Sequence, residues 1–439
     1  RISAITNSIA SQAAAGDKAA LYALINLQPF VVKGTTQGFT DALYQSHSAN
    51  GALDIENFSE QYLTDRAEML QWLIKYNEED IDYQKILSVG ELKTFTESSS
   101  PLNEGKDLTL NLDLDISDVP DRQIKFGTEG DDSGSNSIDG GASDDRLYGG
   151  AGNDDLYGEK GGDYLEGGAG DDYLVAGEED NYEIVVTNGV GEGVGDINVL
   201  LGEEGNDTLL GGGGIDDLYG GSGDDTLYSG NGTHKEVISL GGNDYKIFRA
   251  YEFMYGGEGM DKYYLSDSYS IIEDSDGDGE VYITAEGIEG TSFQVTGATY
   301  SQYDDFGLDI SSPTHNAYKY NMSEAERDIY EKVRGAYNTQ LRFTLEVQPD
   351  GSHTLYFYDL HHKIENFHNG DLGITLEYSS GENWIVPHTR LTVEDVIDAI
   401  NFDEAMGPIE AEVIKEAVRN IYNQSDIAKE MIVEFVNSG

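Results

Sequence analysis

Four units stand end to end in one register: GGASDDRLY at 140–148, GGAGNDDLY at 149–157, GEKGGDYLE at 158–166 and GGAGDDYLV at 167–175. Three more follow in a second register, GEEGNDTLL at 202–210, GGGGIDDLY at 211–219 and GGSGDDTLY at 220–228, and an isolated GGEGMDKYY begins at 256. The shared form is G-G-x-G-x-D-x-L-x, a period of nine. Glycine at positions 1, 2 and 4 permits a positive-φ turn that a side chain would block, and such a turn points carbonyl oxygens inward. Aspartate at position 6 adds a carboxylate, and a hard cation such as calcium takes about six to eight oxygens of these two kinds. Leucine at position 8 belongs to a very short strand, with its side chain turned into the coil. Positions 7 and 9 face the other way, which places Tyr148, Tyr157, Tyr164 and Tyr173 on the outside. A flexible acidic linker is the plain alternative, but a linker has no need of a hydrophobe at every ninth residue.

The whole chain agrees with this reading. Its 439 residues include 54 glycines and carry 83 acidic against 26 basic side chains, a formal charge of -57. Carboxylates this dense repel one another unless cations neutralise them, and the same charge argues against nucleic acid or anionic membrane as a partner. There is no cysteine, so disulfides and thiolate metal sites are excluded and zinc loses its best ligand. No apolar run reaches the roughly 18 residues of a membrane span, so none is expected. The opening RISAITNSIASQAAAGDK lacks the sustained apolar centre of a cleavable signal peptide.

The repeats resemble the calcium-binding nonapeptides of the RTX (repeats-in-toxin) family, the hemolysin-type repeats. That resemblance implies a right-handed parallel β-roll in which two nonapeptides make one turn and several calcium ions sit between successive loops on the same side. Unit n then pairs with unit n+2, so that Asp145 shares an ion with Asp163, Asp154 with Asp172, and Asp207 with Asp225. Asp216 pairs backwards with Asn198, in the weaker unit GVGDINVLL at 193, and Asp154 likewise with Asn136, in DDSGSNSID at 131. Asp261 carries the same role in the isolated unit. The turn glycines Gly140, Gly149, Gly158, Gly167, Gly202, Gly211 and Gly220 complete the metal set. The resemblance also implies export by a type I secretion apparatus, an extracellular or cell-surface location, and folding driven by calcium outside the cell. It names no host or surface target.

Around the repeats the expected architecture is multidomain. Residues 1–100 read as a helical N-terminal unit standing independently of the roll, with Asp17 capping a helix over Ala19–Leu27 and a second helix from Ser59 to Tyr76. Residues 101–126 form a β linker, in which 107–116 alternate strictly. The roll comes in two blocks, 127–178 and 193–264, with an interruption at 179–192. From 167 to 202 is 35 residues, one short of a multiple of nine, so the two registers are out of phase and the interruption is a loop or a break between two rolls. From 220 to 256 is 36, so residues 229–255 read as degenerate coils, with Tyr245 and Met254 at position 8; an insertion of fortuitous length is the alternative. A β-rich cap with one helix covers 265–380, where Ser323 and Glu326 form a capping box and Ile364–Ile374 closes the open roll end. A helical segment follows over 381–439.

Two further clusters call for a reading. Asp274, Asp276 and Asp278 have the D-x-D-x-D-G opening of an EF-hand loop, but Ala285 stands where the bidentate Glu belongs; a separate calcium site and an acidic turn ending the roll both remain open. His361, His362, His353 and Asp359 lack any metal-ligand spacing and read as polar residues on a hairpin. No G-x-S-x-G elbow or other catalytic motif occurs. The leading functional expectation is a calcium-binding segment that folds after export. The alternatives are the non-catalytic part of an RTX toxin or hydrolase, and a calcium-dependent adhesin or surface-layer scaffold.

Overall fold

The computed structural model describes residues 2–4, 8–32, 58–77, 93–100, 106–111, 122–177, 183–187, 190–194, 197–212, 215–229, 235–239, 245–248, 251–266, 269–285, 292–300, 315–334, 341–348, 352–357, 360 and 362–377. The segment 381–439, expected to be helical, lies outside them.

Each nonapeptide yields one short strand and one tight turn, and successive strands fall alternately into two sheets. Among the described residues the larger sheet has fifteen strands and the smaller eight. Within the repeats the pairing is parallel with a one-turn offset of 18 residues, as in Leu147↔Leu165 and Leu156↔Leu174. Position 8 faces inward as expected: Leu147, Leu156, Leu165, Leu174, Leu200, Leu209, Leu218 and Leu227 are fully buried in one core. Each such leucine contributes about 1.5–3 kcal/mol by leaving water.

The expected two blocks are one continuous stack. Leu165 pairs with Leu200 and Leu174 with Leu209, so the coils before and after the interruption are direct neighbours. The 35-residue spacing is one turn plus an insertion. Part of it, Glu183–Thr187 and Val190–Val194, pairs as an antiparallel hairpin outside the roll.

The degenerate coils expected over 229–255 are also replaced by an insertion. Leu218 pairs with Met254 and Leu227 with Tyr263, so 36 residues span one turn plus 18 extra residues, not two turns. Met254 does take position 8, but Tyr245 lies in Tyr245–Phe248, paired antiparallel with Lys235–Ser239. The two insertions meet, because Glu183–Thr187 pairs in parallel with Lys235–Ser239 and a separate four-stranded sheet results. A length divisible by nine does not distinguish a coil from an excursion. What decides is which strand lets its inward hydrophobe stack on the neighbour's.

At the N-terminal end, Lys93–Ser100 and Arg122–Phe126 extend the larger sheet before the first nonapeptide. Three helices, α1 (Ile9–Ala14), α2 (Lys18–Ile25) and α3 (Glu60–Asn77), cover its outer face. The Asp17 side chain caps α2 by accepting from the Ala19 and Ala20 amides. Phe95, Leu110, Ile124, Phe126 and Tyr148 share one core with the buried residues of these helices, among them Leu24, Leu63 and Leu70. The helical unit is therefore not independent of the roll, and Tyr148, expected on the outside, is 2% exposed beneath it. Buried Arg66 of α3 bonds the carbonyls of Leu24 and Ile25 at the end of α2, and pairs with Glu97 at 2.8 Å. It thereby gives a donor to the Ile25 carbonyl at the end of α2, while the Leu24 carbonyl also accepts the Leu27 amide.

At the other end the roll is closed. His362–Ile364 continues the larger sheet beside Ser270–Glu273, and the hairpin Arg342–Val347 with His353–Phe357 follows on. Helix α4 (Glu324–Arg334) begins with the expected capping box: the Ser323 amide donates to Glu326 Oε2 and the Glu326 amide to Ser323 Oγ. Phe367, Leu372 and Ile374 are buried over the last coil, where the Leu372 amide donates to the Gly277 carbonyl.

Candidate metal centres

The position-6 side chains form two columns, one on each side of the roll, and each column is a hydrogen-bond ladder. In the first, the Asp132 amide donates to Asp154 Oδ1 at 2.7 Å, Asp154 to Asp172 at 2.8 Å, Asp172 to Asp207 at 2.8 Å, Asp207 to Asp225 at 2.8 Å and Asp225 to Asp261 at 2.9 Å. In the second, the Gln123 amide donates to Asp145 Oδ1, Asp145 to Asp163 and Asp163 to Asn198 Oδ1, whose Nδ2 donates to Asp216 Oδ1. The expected pairs Asp145–Asp163, Asp154–Asp172, Asp207–Asp225 and Asn198–Asp216 are thus brought together. Asp172–Asp207 and Asp163–Asn198 join them across the interruption.

Beyond Asp132, whose side chain accepts the Thr128 amide, each aspartate spends one oxygen on this ladder. The other, Oδ2, of Asp145, Asp154, Asp172, Asp207, Asp225 and Asp261 is buried without a hydrogen-bond partner. A buried acceptor with no donor costs about 1–3 kcal/mol, and a charged one more. Burial pushes Asp145, Asp154 and Asp261 up to about 6, Asp207 to about 7, and Asp172 and Asp225 to about 8. For Asp172 and Asp225 the neighbouring carboxylates of the same column add to that rise. A column of such groups is disfavoured as anions unless a cation compensates them.

Position 1 shows what surrounds these oxygens. A side-chain carbon on Gly149 would lie 2.5 Å from Asp154 Oδ2 and 2.6 Å from the Gly167 carbonyl oxygen of the next turn. At Gly140, Gly158, Gly167, Gly202, Gly211 and Gly220 the same carbon would collide with the Oδ2 of the unit's own aspartate. Position 1 is therefore glycine for space, while the positive φ expected there occurs at positions 2 and 4, as at Gly150 (φ 109) and Gly152 (φ 117). Carboxylate and carbonyl oxygens of stacked turns thus converge on space that a methyl group would fill. With oxygen donors and no thiolate, these residues fit a hard divalent cation of the calcium type. Among the described residues no three His, Asp or Glu side chains gather around one point; a cation beside a pair of these carboxylates would draw its further oxygens from the backbone carbonyls next to them.

One expected position falls elsewhere, and one open reading is decided. Asn136 is exposed on the turn Gly134–Asn136, and Asp132 takes its place opposite Asp154. The unit begins at Gly127, as GTEGDD, and extra residues separate Asp132 from the inward Ile138. Counting back from Ile138 therefore lands on the wrong residue. Asp274, Asp276 and Asp278 form the last turn of the roll instead of an EF-hand loop. Asp274 Oδ2 accepts from the Tyr263 hydroxyl and Oδ1 from the Gly277 amide, while Asp276 accepts from the amides of Gly259 and Asp278. In this turn Gly279 stands opposite Asp261, so the first column ends there.

Three features escaped the sequence reading. Position 5 carries its own exposed ladder, in which Asp131, Asn153, Asp171, Asn206 and Asp224 each accept, through Oδ1, the amide of the next turn. The recurrence of Asp or Asn in alternate units was its signal. Glu252, fully buried, occupies position 6 beyond Asp216, two residues before Met254. His362 closes the second column: its Nδ1 accepts the Ser270 amide and its Nε2 donates to the Ser266 carbonyl. No pattern around His362 announces that role.

Residues 131–165, 151–182 and 193–233 match the family model of the RTX calcium-binding nonapeptide repeat. No curated protein and no solved structure matches the chain. The stacked coils at Glu252–Leu265 and Ser270–Thr284 lie beyond the matched residues.

Proposed function

We propose that this chain, which carries RTX calcium-binding nonapeptide repeats, is the calcium-driven folding module of a secreted or cell-surface protein. The observation that supports this most is the row of buried Oδ2 atoms without hydrogen-bond partners, recurring turn after turn beside backbone carbonyls. Buried carboxylates oppose coil stacking where calcium is scarce, and become ligands where it is plentiful. Binding free energy then becomes folding free energy, about 2.7 kcal/mol per site at a hundredfold excess over Kd. Such a chain passes unfolded through a type I export apparatus and folds outside the cell. Among the described residues no helix is long and apolar enough to cross a membrane.

The test is circular dichroism of the EDTA-treated chain titrated with calcium, with magnesium as the control. A cooperative gain of β signal near millimolar calcium, absent with magnesium, is expected. A chain already folded in EDTA and indifferent to calcium would make the repeats a structural solenoid and sink the proposal.

A further inference from the structure

The N-terminal helices are seated on the coils that hold the Asp145–Asp163 level. In the first of these coils Arg146 and Tyr148 follow Asp145; in the next, Tyr164 and Glu166 follow Asp163. Strand pairing sets Arg146 beside Tyr164 and Tyr148 beside Glu166, so the four make one outward patch. Helix α3 reads this patch. Buried Asp65 accepts from Arg146 and from the Tyr148 hydroxyl, both at 2.7 Å. At the start of the helix, Ser59 Oγ accepts the Tyr62 amide and donates to Glu166 Oε2 at 2.6 Å, where the Tyr164 hydroxyl also donates. The Tyr62 ring meets Phe126 and Tyr148 edge-on at 5.5 and 5.2 Å.

The patch is split between two turns of the roll, 18 residues apart, and exists only while those turns are stacked in register. The Asp145 amide bonds Asp163 Oδ1 one residue before the patch begins in each turn. Charge alone would keep these two aspartates apart. We propose that calcium at the Asp145–Asp163 level acts as a latch: it docks the N-terminal helices onto the roll, and its loss releases them. This rests on the calcium reading of the repeats. Coupling between two such events is reciprocal, so docking in turn tightens calcium binding at the first coils.

Hydrogen exchange of the full chain across a calcium titration tests the latch. Amide protection over 60–77 is expected to appear in the same calcium range as protection over 146–177. Asp163→Asn should move both to higher calcium by about 5-fold or more. Asp65→Asn, or the milder Tyr148→Phe, should lower protection of 60–77 and raise the calcium needed by 146–177, while the coils at 215–228 and 252–265 respond less. Full protection of 60–77 in EDTA while 146–177 exchange freely would overturn the latch and leave the calcium reading standing. Calcium-independent protection of 146–177 would overturn both.

Discussion

At position 6 of most coils, one aspartate does two jobs that pull its chemistry in opposite directions. Oδ1 carries the ladder and is content as a hydrogen-bond acceptor, whereas buried Oδ2 asks for a positive charge. Asp172→Asn separates the two jobs, since the amide keeps an acceptor and loses the charge. It should weaken calcium-induced folding by roughly 1–3 kcal/mol yet stabilise the EDTA form, an inversion that paired denaturant titrations would read. A loss of stability in both conditions would mean that the charge has no role there. The pH dependence follows from the same groups. Their folded-state values of about 6 to 8 lie above the roughly 3.9 of an unfolded aspartate. The protonated form is thus favoured in the cation-free roll, whose stability is present at low pH and lost as pH rises through about 6 to 8. Acidifying the EDTA-treated chain from pH 8 to pH 5 should therefore raise its β signal, while calcium affinity should fall over the same interval because ligands must be deprotonated. At position 1, Gly149→Ala should cost about 1–3 kcal/mol in calcium, by thermal melts, because its methyl group meets Asp154 Oδ2 and the Gly167 carbonyl.

Among the elements, the coil was the part most legible in the sequence. Leucine at position 8 and aspartate at position 6 are separated by one residue, so a strand must send them to the same face. The resemblance to the RTX repeats, with two units to a turn, implies the stacking partner 18 residues on, where Leu156 does pair with Leu174. Where extra residues enter, that arithmetic fails for a physical reason. Pairing rewards the inward hydrophobe that stacks, and it ignores the length of chain between. Met254 is found on Leu218 while Tyr245 is not, although both fit the period. Asn136 fails in the same way, displaced by the residues that separate Asp132 from Ile138. Glu252 could have been found by counting back from Met254, whereas His362 could not, because it enters the column from a separate hairpin. Removing residues 231–248 would restore an 18-residue spacing between Leu227 and Tyr263. The shortened chain should keep its calcium-dependent β signal in circular dichroism; losing it would mean that the insertion sheet is part of the folding unit.

Across the molecule, one stack of coils is continued at both ends by structure that is not repetitive. The N-terminal helices cover the outer face of the first strands, and the C-terminal hairpins continue one sheet and cover the last coil. A parallel stack exposes strand edges at its ends, which invites pairing with other chains unless something blocks it. The formal charge of -57 opposes association between chains, and the same repulsion works against coil stacking without cations. None of the docking contacts has a repeat to betray it: Asp65, Arg66 and Ser59 are ordinary helix residues whose partners lie far along the chain. The most direct measurement is equilibrium calcium binding to the full chain beside a variant with Asp154, Asp172, Asp207 and Asp225 changed together to Asn. The wild-type chain should take up several calcium ions in step with its β signal, and the variant should lose most of that uptake together with calcium-induced folding. Equal uptake by both chains would contradict the assignment of the position-6 columns as the calcium sites.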